Sequence, residues 1–175
     1  MIVWLNGPFG AGKTTVAREV VARLPGSIFF DPEQIGFLLR RSLATLDPHD
    51  DFQGWSSWRD VVVATLSSLD RHYPGPLVVP QTVLVEAYWE EVAEGLRLAG
   101  VTLLSFTLHV DEKTLRRRIR YDWVEVGAAR WRREHVVPYR DALPWLRQSG
   151  TVLDTTNLNA VQVAERVRAI TVAHG

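Results

Sequence analysis

Near the start of the chain, Gly7-Pro8-Phe9-Gly10-Ala11-Gly12-Lys13-Thr14-Thr15 follows the apolar run Ile2-Val3-Trp4-Leu5. A glycine, four residues and then Gly-Lys-Thr is the spacing of a P-loop, set here between an expected strand and an expected helix. Its glycines let the backbone curl so that several N–H groups point at phosphate oxygens, and the positive end of the following helix adds to that field. Lys13 is placed to reach the β and γ phosphates of a nucleoside triphosphate, and the Thr14 hydroxyl to serve as the Mg²⁺ ligand. An ordinary glycine turn needs neither Lys13 nor Thr14.

A phosphate site does not specify a reaction. Switch and motor NTPases carry an acid at the end of a later strand, whereas the third strand here ends Val79-Pro80-Gln81-Thr82. The acid comes instead after the second strand, in Phe29-Phe30-Asp31-Pro32. In a doubly wound sheet ligands lie across the carboxyl ends of the strands, so Asp31 is expected to share the P-loop's crevice. There it would orient an acceptor hydroxyl and take its proton. Capping the helix that begins near Pro32 is its competing role, and the two are compatible.

Charge concentrates again in Leu115-Arg116-Arg117-Arg118-Ile119-Arg120, extended by Arg130, Arg132, Arg133 and Arg140. Leu115 and Ile119, four apart, give this helix its inward face and leave arginines on the others. A lid that brings a guanidinium onto the equatorial oxygens of a moving phosphoryl group lowers the barrier, so at least one of Arg116, Arg117, Arg118 and Arg120 is expected to act. Nucleic-acid binding by this run is disfavoured, because no aromatic-lined groove or basic surface accompanies it. On the acceptor side, position alone points to the helix carrying Phe37, Arg40 and Arg41 and to the one carrying Trp55, Trp58 and Arg59. Trp58 reads more readily as core than as a ligand platform. For Arg59 and Gln81, a polar contact to the acceptor competes evenly with a salt bridge and a strand-end hydrogen bond.

The elements that must hold these residues alternate. Strands are expected at Ile2–Leu5, Ser27–Asp31, Leu77–Thr82, Val101–Val110 and Thr151–Thr155. Between them run a helix from Lys13 to Pro25-Gly26, one from Pro32 to about Leu46, and one through Trp55, Trp58, Val62, Leu66 and Leu69. Glu86–Ala99 is amphipathic, with Trp89, Val92, Leu96 and Ala99 inward. Asp111 is a candidate cap for the arginine helix, and Asn159 for a last helix ending near His174. Such alternation predicts an α/β fold, a parallel sheet covered by helices on both faces.

With 175 residues, 46% of them hydrophobic, the chain suits one domain spanning 1–175. Twenty basic residues balance twenty acidic ones, so no overall field exists to attract a polyanion. Cysteine is absent, which excludes disulfides and thiolate metal sites. No apolar stretch approaches the length of a membrane span and no signal peptide is expected, so the default location is the cytoplasm. The last helix carries Val163, Ala164, Val167 and Ile170. Packing on the sheet is favoured for that face, with peripheral membrane contact left open. Nothing in the sequence bears on oligomeric state.

Gly7 to Thr15, Asp31-Pro32-Glu33, Asp51-Phe52-Gln53, Trp58-Arg59, Val79 to Thr82 and the segment Phe106 to Arg120 together resemble the bacterial tunicamycin-resistance (TmrB-like) family. The P-loop alone points to the wider group of nucleoside- and shikimate-kinase-like proteins; the Asp-Phe-Gln and Trp-Arg stretches make the narrower match. The resemblance implies an adenylate/shikimate kinase-like P-loop fold, a five-stranded parallel sheet of order 2-3-1-4-5, and binding of ATP and Mg²⁺. It also implies protection against tunicamycin, a fatty-acylated uracil nucleoside bearing N-acetylglucosamine, by phosphorylation or by sequestration. A different nucleoside or sugar metabolite is the remaining acceptor. On this reading Lys13, Asp31 and Arg118 are catalytic, and Gly7 to Thr15 with Arg118 and Arg120 bind the nucleotide. Asp31, Arg40, Arg59 and Gln81 face the acceptor, and residues 111–148 form a lid. Arg118 matches the first arginine of a lid-type R-x-x-x-R step whose second position is Asp122, so Arg120 is the candidate to replace it.

Overall fold

The computed structural model describes residues 1–43, 51–120 and 136–174. Its strands are β1 (Ile2–Asn6), β2 (Ile28–Phe29), β3 (Leu77–Pro80), β4 (Leu103–His109) and β5 (Thr151–Asp154). The helices are α1 (Lys13–Arg23), α2 (Glu33–Leu43), α3 (Ser56–His72), α4 (Glu86–Leu98), α5 (Glu112–Arg120), α6 (Val136–Leu146) and α7 (Ala160–Ala173), with a 3₁₀ turn at Phe52–Gly54 before α3. The strands form one parallel sheet in the order β2-β3-β1-β4-β5, as the family resemblance implies. In register, Ile2 lies between Leu77 and Leu103.

β1 runs through the centre with all five residues buried. Alternation along it sorts the core into two layers. Val3 and Leu5 pack with Val16, Ala17 and Val20 of α1 and with Val163, Ala164 and Val167 of α7. Ile2 and Trp4 pack with Trp55, Trp58, Val62 and Leu66 around α3 and with Trp89, Val92 and Leu96 of α4. Both faces of the strand are therefore covered, which is why its sequence is a continuous apolar run. The inward face of α7 lies in the core, against the sheet. Trp58 is core as well, 1% exposed, with its indole N–H donated to the Pro32 carbonyl at 3.1 Å.

Several boundaries shift from the sequence expectation. β2 pairs over two residues only, and β3 ends at Pro80, after which the Gln81 N–H still donates to the Leu5 carbonyl at 3.1 Å. β4 begins at Leu103 because the Val101 N–H closes α4 by bonding the Leu96 carbonyl. Ala99 is exposed at the end of α4, where the helix terminates before its apolar stripe returns inward. Both predicted caps form: Asp111 accepts from the Thr114 N–H at 2.9 Å, and Asn159 makes a reciprocal capping box with Gln162. The predicted end of α2 at Leu46 lies outside the described residues, as do Arg130, Arg132, Arg133 and Asp122.

Candidate phosphotransfer cleft

β1, β3 and β4 end at one edge of the sheet, and the P-loop turns there. Gly7 (φ 134°) passes so close to β4 that a β-carbon would stand 2.7 Å from the Leu108 carbonyl oxygen, so no larger residue fits. Gly12 (φ 87°) is the N-cap of α1 and has no side chain to occupy the first helical N–H groups. Those groups, with the helix dipole, face the opening as an anion site. Lys13 Nζ folds back onto the Gly7 and Pro8 carbonyls at 3.1 and 2.9 Å and lies over the Phe9 ring at 5.3 Å. Thr14 and Thr15 open to the cleft at the same helix end.

This cleft has a volume of about 960 Å³. Lys13, Arg18, Arg40 and Arg118 bring four positive charges to its wall, and Glu33 and Asp51 two negative ones. A chain of zero net charge thus carries a local excess of positive charge where the anion site lies, which suits a polyphosphate. Among the described residues no cluster of three or more His, Cys, Asp or Glu side chains could hold a metal ion. The Thr14 hydroxyl, together with phosphate oxygens, would be available to a Mg²⁺ ion.

Of the four arginines of α5 named in the sequence, Arg118 lines the cleft, and its Nη2 donates to the Thr155 carbonyl at 3.1 Å. Arg116 pairs with Glu112 on the same helix, and Arg117 and Arg120 are exposed. Arg40 lines the cleft with its guanidinium over the Phe52 ring at 4.8 Å. Gln81 also lines it, 3% exposed. Its Nε2 donates to the Thr82 carbonyl at 3.2 Å, while its Oε1 is buried with no partner among the described residues.

Two expected acceptor residues are not on this wall. Arg59 lies behind it, 6% exposed, paired with Glu91 at 2.5 Å, over the Tyr88 ring at 4.3 Å and bonded to the Gln53 carbonyl. α3 points this side chain toward α4 rather than into the cleft. Asp31 uses Oδ1 to accept the Glu33 N–H at 3.0 Å, the helix-capping role, and it is Glu33 that lines the cleft.

Other residues on or just behind the wall have no role assigned from the sequence. Asp51 and Gln53 lock each other: Oδ1 accepts the Gln53 N–H at 3.0 Å and Oδ2 its Nε2 at 3.2 Å. Asn6, fully buried, accepts the N–H groups of Gly7 and Val83 and donates to the Val83 carbonyl, and Thr82 Oγ1 donates to the Gly7 carbonyl at 3.0 Å. These bonds tie the loop after β3 to the P-loop. A polar Asn closing a buried apolar strand was the available signal; Asp51 and Thr82 had none beyond family likeness.

A family model described as an AAA domain matches residues 2–121. The structure of the Deinococcus radiodurans tunicamycin resistance protein matches with 34% identity and a TM-score of 0.77, covering 97% of this chain and 94% of that one. The chain belongs to the tunicamycin-resistance family. A gluconokinase from Sinorhizobium meliloti (17% identity, TM-score 0.67, 98% and 93% covered) shares the fold. So does a shikimate kinase from Acinetobacter baumannii in complex with shikimate (20%, 0.63, 99% and 93%). Comparison with curated proteins finds no match. Like these kinases, this tunicamycin-resistance family member has the P-loop kinase-like fold. No helix among its described residues is long and apolar enough to cross a membrane.

Proposed function

We propose that the protein is an ATP-dependent small-molecule phosphotransferase that protects against tunicamycin by phosphorylating a hydroxyl of the drug. The observation that carries this reading is the uncapped N-terminus of α1 opening into the same cation-rich cleft as Arg40, Asp51 and Gln81. Gly7 to Thr15 cradle the triphosphate, Lys13 leaves its loop carbonyls for the β and γ phosphates, and Arg118 steadies the moving phosphoryl group. Thr14 would help hold a Mg²⁺ ion, which would supply charge neutralisation on the triphosphate. The acceptor oxygen attacks the γ phosphorus, the bond to the β–γ bridging oxygen breaks, and ADP leaves with that electron pair. The hydroxyl proton passes to Asp31, whose Oδ1 alone is used in the α2 cap, as α2 closes on the acceptor. Residues 111–148, of which 121–135 lie outside the described residues, are assigned as the lid of a single domain, and the supply of ATP puts the reaction in the cytoplasm.

Asp31 standing off the cleft wall favours a second reading, an ATP-binding protein that sequesters the drug unaltered. Growth of a tunicamycin-sensitive bacterium expressing either wild type or Asp31→Asn separates the two. Catalytic protection disappears in the variant and saturates at low protein levels in the wild type. Protection retained by the variant and proportional to protein amount would remove the proposed chemistry.

A further inference from the structure

Beyond the cleft, between the loop after β3, the 51–54 turn and α6, lies a second space of about 360 Å³. Phe9, Asp51, Gln53 and Thr82 belong to the walls of both, so the two spaces adjoin. Past these shared residues the lining turns apolar, with Leu84, Val85, Tyr88 and Pro138. Val85 on this wall and Val137, next to Pro138 in the chain, are each 48% exposed. The shared wall is also fixed in place. Asp51 and Gln53 hold each other, and the Gln53 carbonyl is bonded to Arg59, which in turn packs over Tyr88. A preformed concave space that is apolar at one end and adjoins a few fixed polar groups is the usual form of a small-molecule subsite.

We infer that this chamber receives an apolar arm of the phosphoacceptor, whose hydroxyl-bearing body lies between the P-loop and the Asp51–Gln53 turn. The position of the body rests on the phosphotransferase reading; the chamber's preference for an aliphatic arm does not. An amphiphilic acceptor is thereby selected over a compact polar one, because only the former displaces water from both ends.

The test uses n-alkyl β-D-glucosides from butyl to decyl, each below its micelle concentration, titrated calorimetrically onto the full chain with Mg²⁺ and ADP. Affinity should rise by about fourfold per methylene, at roughly 0.8 kcal/mol for each buried CH₂, and level off once the chamber is full. Leu84→Trp, which fills the chamber, and Val85→Asp, which charges its rim, should each flatten the series while leaving ADP affinity unchanged. Val85 is exposed and is the N-cap of α4, a position that favours Asp, so this variant folds even if Leu84→Trp does not. An absent slope in the wild type, or an unaltered slope in Val85→Asp, overturns the chamber. A slope without phosphorylation of tunicamycin upholds the chamber and overturns the kinase reading; phosphorylation without a slope does the reverse.

Discussion

Gly7 to Thr15 and Asp51 to Gln53 wall the same cleft and are built by different means. The first is a backbone device: left-handed glycines, an uncapped helix end and a lysine held on loop carbonyls. The second is a side-chain device, a 3₁₀ turn locked by one carboxylate and one carboxamide and propped from behind by Arg59. Backbone geometry is insensitive to which acceptor is used, so nucleotide binding belongs to a large fold group. Side-chain geometry can be retuned one residue at a time, and on the proposed reading acceptor choice sits there.

Lys13→Ala strikes the nucleotide half and should have the largest effect, lowering phosphate transfer by on the order of 10²–10³-fold in steady-state assays. Equal turnover by this variant would show that the loop is not the phosphate site. Asp31→Asn sharpens the division between the halves. Transfer should fall by about 10²-fold or more, while ATP affinity by calorimetry stays close to wild type. If Asp51→Asn carries that loss instead, the residue on the wall is the base and Asp31 is only a cap.

Arg59→Ala asks whether the acceptor half depends on its prop. Arg59 does not line the cleft and meets its wall only from behind, through the Gln53 carbonyl, yet its loss should raise the acceptor KM by roughly tenfold and spare nucleotide affinity. Removing a partner of the Gln53 carbonyl should also cost about 1–3 kcal/mol in denaturant unfolding. Restoration of KM by Arg59→Lys without recovery of stability would separate positioning from packing.

These contrasts explain what the sequence made legible. The P-loop was readable because its chemistry is local, nine consecutive residues after a strand. The sheet was readable because both of its faces are buried and its strands are correspondingly apolar. Charge and spacing alone do not separate Arg118 from Arg116, Arg117 and Arg120; the family resemblance singles it out, and α5, docked with Leu115 and Ile119 buried, turns it into the cleft. Asp31 and Arg59 were placed on the acceptor side from their position along the chain. Their side-chain directions depend on α2 capping and on Glu91, partners that spacing does not reveal. Asp51 and Gln53 needed α3, α4 and the loop after β3 to be assembled before they shared one wall with Lys13.

The smallest expected effect lies at the cap of α5. The Thr114 N–H holds the Asp111 carboxyl below its ordinary range, so its contribution is present above the unfolded value, about 3.9. It is lost as pH falls through the lower folded value. Asp111→Ala should therefore lower Tm modestly at pH 7, with the difference from wild type shrinking toward pH 3 in parallel thermal melts. A difference independent of pH would mean that the cap acts through packing alone.

The most direct test of the central claim is the intact mass of tunicamycin after incubation with the protein, Mg²⁺ and ATP, beside a Lys13→Ala control. The account predicts the gain of one phosphoryl group with the wild type and none with the variant. An unchanged mass with the drug bound would contradict the phosphotransferase and leave sequestration standing.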